Sequence, residues 1–189
     1  MENKIQIRNN FSASFKQFEQ WTRLKILSIV FDSENDDWNV GTCEFTKKII
    51  NRSHIVLLIE DNENNLFGAY IDARINSMWL TDKDNSNNRS RTVDPNAFVF
   101  SLIRNGKPSN QRFMTKDSSQ SFVLYDENST RLFHVGDDYN HYDIDISRKD
   151  SGYASICCKG SYEYNGINNP LRDWNKCFVP KRFVVIQLE

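Results

Sequence analysis

Two apolar runs separated by a short polar turn decide the fold: HIVLLIE at 54–60 and LFGAYIDA at 66–73. Both runs are rich in β-branched and aromatic residues, and the Asp and Asn residues between them favour a tight turn. The pattern predicts a β-hairpin. Gly68 lies inside the second run, which indicates either a bulge or the close approach of another backbone.

Alternating or β-branched segments on both sides of this hairpin predict further strands. They are Ile26–Phe31 as a buried strand, Ala97–Arg104 with its return at Arg112–Thr115, Ser121–Tyr125, Arg131–Val135, Tyr142–Ile146, Tyr153–Cys158 and Arg182–Leu188. The polar stretch Asp82–Asp94 contains almost no apolar residue, so we expect an exposed loop there.

Two helices are predicted near the N-terminus. Between Ser12 and Leu24 the apolar positions recur every third residue, as on one face of an amphipathic helix. A second, short helix follows Thr42, which would cap it, and stops near Asn51. The expected architecture is α+β and predominantly β: a two-layer antiparallel β-sandwich with short flanking helices. Residues 1–24 would form a flanking segment and 25–189 the main domain.

Composition limits the function. The 189 residues carry 24 Lys and Arg against 25 Asp and Glu, a formal net charge of −1, so no overall basic field attracts nucleic acid or anionic membrane. The first residues lack the apolar run of a signal peptide, and no run is long enough to span a membrane. We therefore expect a soluble, intracellular, cytoplasmic protein.

Motifs for common catalytic sites are missing from the sequence. Its seven glycines form neither a phosphate-binding loop nor a nucleophile elbow. Among the four cysteines, Cys157 and Cys158 precede Lys159, whose charge would favour a reactive thiolate, although a buried structural thiol is an equal alternative. The sequence contains no CxxC pair, so it indicates neither a zinc site nor a redox-active cysteine pair. No cofactor is predicted.

Two other clusters offer alternatives. The first could provide metal ligands, although an ordinary polar loop explains it as well, and consists of His134, Asp137, Asp138, His141, Asp143 and Asp145. Within it, one of the two histidines with Asp143 or Asp145 could instead form the acid/base pair of an enzyme. Basic residues could form a nucleic-acid surface. They are Arg89, Arg91, Lys181 and Arg182.

A set of short motifs resembles the TLDc domain of oxidation-resistance proteins. The motifs are LLIE-turn-LFGAY (57–70), NAFVFSL (96–102), LFHVGDDYNHYDIDI (132–146), YNGINNPL (164–171) and the terminal RFVVIQLE, which together cover about 26–189. The resemblance implies a β-sandwich, a role in resistance to oxidative stress and, in several lineages, binding and regulation of the vacuolar proton ATPase. It implies no established catalytic mechanism.

Two positions depart from the family pattern. Asn96 stands where a Glu often precedes the F-x-F strand, and the turn Gly136–His141 replaces a glycine-rich turn. Both departures favour a protein-interaction module over an enzyme. Loops on a rigid sandwich commonly carry binding residues. We expect the partner-binding residues to be Asp137, Asp138, Tyr139, His141, Tyr164 and Trp174, with a half-buried lid as the alternative role of Trp174.

Overall fold

The computed structural model describes residues 14–77, 79–81, 88–137, 141–168, 170–172 and 177–189. Within these ranges the chain is 43% strand and 9% helix, and its strands form two antiparallel sheets. The predicted two-layer sandwich is therefore confirmed.

Helix α1 covers 14–22, and the other elements are β1 (Ile26–Asp32), α2 (Phe45–Ile49), β2 (Ile55–Asp61), β3 (Leu66–Ile71), β4 (Leu80–Thr81), β5 (Asn88–Thr92), β6 (Phe98–Arg104), β7 (Lys107–Met114), β8 (Phe122–Tyr125), β9 (Arg131–Val135), β10 (Ile144–Ser147), β11 (Ser155–Ile156), β12 (Cys177–Phe178) and β13 (Pro180–Leu188).

The first sheet, sheet A, has the strand order β1-β13-β2-β3-β6-β7. Its centre is the hairpin that the two apolar runs predict, with Leu58 paired to Gly68. A β-carbon on Gly68 would lie 1.8 Å from the carbonyl oxygen of Leu57, so the glycine permits a close backbone approach. Phe67 and Tyr70 lie on opposite faces of β3.

The second sheet, sheet B, has the order β12-β11-β10-β9-β8-β5-β4. Its inner face meets the inner face of sheet A in one apolar core. Helix α2 closes one end of this core, where the Phe45 ring stacks on Phe133 with centroids 5.4 Å apart. Alternation along each strand places one set of side chains in the core and the other on the outer face.

Helix α1 covers the outer face of sheet A. Phe18 is fully buried, and its ring centroid lies 5.1 Å from that of Phe100. Trp21 meets the Phe98 ring edge-on, and its carbonyl accepts a hydrogen bond from Arg112. The predicted aromatic stripe of the helix therefore packs on its own chain. The central strands of sheet A are therefore buried on both faces.

Three local expectations are wrong. Residues Asn88–Thr92 form strand β5, paired to β8, although the whole 82–94 stretch was expected to be a loop. Strand β1 is an edge strand with Leu27 49% exposed, where a buried strand was expected. The N-cap of α2 is Glu44, with no side-chain cap hydrogen bond, because Thr42 instead bonds to Asp37.

Candidate functional site

A buried carboxylate fixes the loops at one end of sheet B. Asp143 Oδ1 accepts hydrogen bonds from the Gly160 amide at 3.0 Å and from the Tyr164 hydroxyl at 2.5 Å. Asp143 Oδ2 accepts one from the Ser161 amide at 2.7 Å. The Asp143 side chain thus receives three donors from a single downstream segment. That segment is held against strand β10 by one residue.

The turn before β10 is adapted to the same carboxylate. Gly136 has a φ of +68°, and a β-carbon there would lie 2.1 Å from Asp143 Oδ2. The next residue, Asp137, donates its backbone N–H to Ser161 Oγ at 2.9 Å. A glycine is therefore required at position 136, because any side chain there would strain the backbone and would collide with the Asp143 carboxylate. The 136–141 turn and the 160–164 segment therefore touch.

Burial controls the pKa of Asp143. Desolvation raises that pKa from 3.8 to about 6, and the hydrogen bonds from Tyr164, Ser161 and Gly160 oppose the rise. A raised carboxyl pKa in a cleft is a common mark of a catalytic acid. Here the three donors all belong to the protein itself, so the geometry is that of a structural anchor.

A second buried contact holds the far end of the same segment. Arg172 Nε donates to Asp61 Oδ2 at 3.0 Å, and Arg172 Nη2 lies 2.8 Å from Glu63 Oε2. Asp61 also accepts from the backbone and side chain of Asn65 in the β2–β3 turn. The 160–172 stretch is thus fixed to sheet B at its start and to sheet A at its end.

The expected partner-binding residues occupy different environments. Tyr164 is only 6% exposed, and its ring packs 5.0 Å from that of Phe113, so it anchors its loop from below. The exposed residues of that loop include Asn165 and Gly166 in its turn. His141 is exposed and Asp137 is half-buried at the adjoining turn. Asp138, Tyr139 and Trp174 lie outside the described residues.

The outer face of sheet B carries a polar cluster around His134. Its Nδ1 lies 3.2 Å from the Tyr125 hydroxyl, and its ring stacks 4.2 Å from that of Tyr142. Asp145 is the direct cross-strand neighbour of His134 and contacts Arg131 at 3.4 Å. Four of these five side chains are buried, with Arg131 partly exposed.

The cluster does not form the acid/base pair considered from the sequence. Within the described residues, His134 Nε2 and Asp145 Oδ1 have no hydrogen-bond partner. Burial lowers the pKa of His134 well below its usual value, with added repulsion from Arg131, and burial raises the pKa of Asp145 to about 6. The same described part of the chain holds no group of three metal-ligating side chains.

The basic residues of the nucleic-acid alternative do not form one patch. Arg89 and Arg91 lie on β5 of sheet B, whereas Lys181 and Arg182 lie on β13 of sheet A. Arg182 makes a two-point ion pair with Asp32 at 3.0 and 2.7 Å. Lys181 contacts Glu60 at 2.5 Å. The two β13 cations are therefore largely neutralised by their own chain.

The cysteines differ in exposure. Cys43 is buried and Cys177 is exposed at the start of β12. The Cys157 thiol donates to the Asp143 carbonyl at 2.8 Å, and burial raises the pKa of Cys157 well above its usual value. The expectation that Lys159 would favour a thiolate therefore does not hold at Cys157, because desolvation of the charged sulfur outweighs a nearby cation.

Thiol labelling tests this order of cysteine exposure. We expect Cys177 to react first with a maleimide because it is exposed, the half-buried Cys157 and Cys158 to react more slowly, and the buried Cys43 to react only after local or global unfolding. Time-resolved mass spectrometry of the intact protein and its peptides measures the order. The variant Cys177→Ser should lose the fast phase. Labelling of Cys157 as fast as that of Cys177 would contradict the structure.

Together, the two sheets, the helix over sheet A and the anchored 160–172 segment define an antiparallel β-sandwich with its loops fixed at one rim. The family model of the TLDc domain matches residues 2–179 of the 189-residue chain, and the chain therefore belongs to the TLDc domain family. The match agrees with the motif resemblance and includes helix α1. No curated protein matches the chain significantly. No helix among the described residues is long and apolar enough to cross a membrane.

Proposed function

We propose that this protein acts by binding another protein, and that the contact lies on the rim where the 136–141 turn meets the 159–168 loop. We define the rim surface by its described residues Asp137, His141, Lys159, Asn165 and Asn168. One observation supports the proposal above the others: the buried carboxylate of Asp143 holds the 160–164 segment, and Ser161 of that segment accepts a hydrogen bond from the Asp137 amide at the start of the turn. Loops held in place by a rigid scaffold lose little entropy on binding.

The chemistry of this rim favours recognition over catalysis. The groups with perturbed pKa values beneath it, Asp143, Tyr164 and Cys157, bond to one another or to the backbone. Lys159 Nζ lies 3.0 Å from Asn168 Oδ1 at the surface. The rim thus presents carboxylate, amide, imidazole and ammonium groups, which suit hydrogen bonding to a partner.

The first partner to test is the vacuolar proton ATPase, which the family resemblance suggests. The same proposal includes that this protein regulates the proton pump and contributes to resistance to oxidative stress. A protein of this kind would act in the cytoplasm, where the pump exposes its soluble sector.

Binding to purified vacuolar proton ATPase tests the proposal. We expect the double variant His141→Glu/Lys159→Glu to bind at least about tenfold more weakly in biolayer interferometry, because it reverses charge at the contact. The matched control is Asn62→Glu/Lys107→Glu, which makes the same net change in charge at exposed positions away from the rim. Equal binding by both double variants would exclude the rim, and no binding by the wild type would exclude this partner.

A further inference from the structure

A groove separate from the rim lies beside strand β5. It has a volume of about 530 Å³ and is bounded by the linker before β2, the linker after β3 and the end of β5. This volume is within the range of small-ligand sites. The polar residues that line it are Asn51, Arg74, Asn76, Ser77, Arg91 and Thr92.

The groove is positively charged. Arg74 and Arg91 both line it, and its described lining contains no carboxylate. Arg74 Nε donates to the Asn51 carbonyl at 3.1 Å, which holds the side chain against the wall. Neither arginine forms an ion pair within the described part of the chain, whereas Arg172 and Arg182 do. Two uncompensated guanidinium groups in one groove attract an anion.

The acidic residues next to the groove face other partners. Asp94 Oδ2 accepts hydrogen bonds from the Asp72 and Ala73 amides at 2.6 and 3.0 Å. Asp72 in turn bonds to the Tyr70 hydroxyl and to His54. These carboxylates are used in holding the β3–β4 linker in place, so they do not neutralise the arginines directly.

One arginine of the groove lining has a buried donor without a hydrogen bond: Arg91 Nε has no partner within the described residues. Thr92 Oγ1 also lacks a described partner, but Thr92 faces the core beside Phe122, on the opposite side of β5 from Arg91. A buried polar atom without a partner costs about 1–3 kcal/mol, so native proteins seldom keep one without a reason. An anion bound to Arg91 would provide both the missing hydrogen-bond acceptor and the compensating charge.

We propose that this groove binds the phosphate group of a small ligand. Guanidinium groups match phosphate oxygens geometrically, and a hydroxyl and amides complete the set of donors. A phosphate has more terminal oxygens and more charge than a carboxylate, so it suits two arginines plus neutral donors better. The chain has no glycine-rich phosphate loop, so the site recognises phosphate by side chains.

Calorimetric titration with pyrophosphate at about 0.15 M salt tests the proposal. The wild type should bind saturably, and Arg74→Gln and Arg91→Gln should each weaken binding about tenfold or more. The control Lys107→Gln removes an exposed charge on sheet A and should bind like the wild type. Absence of saturable binding, or unchanged binding by both arginine variants, would overturn the proposal.

A variant without charge change separates binding from folding. Ser77→Ala removes the hydroxyl of an exposed residue in the groove lining, so its thermal midpoint should not fall. If the hydroxyl contacts phosphate, the same variant binds pyrophosphate more weakly, and unchanged affinity would contradict that contact. Single-stranded DNA that binds more tightly than pyrophosphate, and depends on Arg89, would replace the small-ligand site by a nucleic-acid surface.

Discussion

Replacing Gly68 by alanine is expected to lower the free energy of unfolding by at least about 4 kcal/mol. The new β-carbon would lie 1.8 Å from the Leu57 carbonyl oxygen and 3.0 Å from the Phe100 ring. Both neighbours belong to central strands of sheet A, β2 and β6, which cannot move apart without breaking ladder hydrogen bonds. Chemical denaturation monitored by tryptophan fluorescence measures the loss, and the variant could also fail to accumulate as folded protein.

Gly106→Ala is the matched control. Gly106 has a φ of +70° with nothing within 4 Å of its added β-carbon, so only backbone strain of about 1–2 kcal/mol is expected. The two variants separate the two reasons for keeping a glycine: lack of space at 68 and backbone conformation at 106. A Gly68→Ala protein that is no less stable than Gly106→Ala would contradict the close approach of β2 and β3.

The second large effect concerns two neighbouring carboxylates. At pH 7.5, Asp143→Asn should lose about 3 kcal/mol of stability, because its amide would direct an N–H group at a backbone N–H of the 160–161 pair. Asp145→Asn should be neutral or stabilising, because Asp145 is buried with one ionic partner, Arg131. Urea unfolding of both variants measures the contrast, and equal losses would contradict the distinction between the two sites.

The pH dependence of Asp145→Asn provides a signed check. The pKa of Asp145 rises on folding from 3.8 to about 6, so the native state holds this proton more tightly than the unfolded chain. Its contribution to stability is therefore fully present below pH 3.8 and is lost as pH rises through 6, a change of about 3 kcal/mol. The variant lacks this titration, so its stability relative to wild type should increase over that window.

Strong periodic signals predicted the sandwich well. The runs around Leu57 and Ala69 form the centre of sheet A, because a strand with hydrophobic side chains on both faces is stable only when both faces are buried. Strand β5 was missed for the opposite reason. Its sequence NRSRT is polar on both faces, and it pairs with β8 while burying only Ser90 and Thr92. Pairing with a neighbour decided its conformation, and no local pattern shows that neighbour.

The site was predicted less completely. The sequence indicated the 136–141 turn and the YNGINNPL segment, but assigned Tyr164 to the binding surface because loops on a rigid sandwich commonly carry binding residues. Its burial depends on Asp143, 21 positions earlier in the chain. The YDIDI alternation marked Asp143 as a polar residue within a strand, and a polar residue there requires donors. Which donors they are depends on tertiary folding alone.

The covering of sheet A by helix α1 has a practical consequence for recombinant work. The helix hides a continuous aromatic and aliphatic surface that includes Phe98, Phe100 and Val184. A fragment designed to start at Lys25 would bare several hundred Å² of that surface, enough to promote aggregation. Expression boundaries chosen for this chain should therefore keep helix α1 and the residues that connect it to β1.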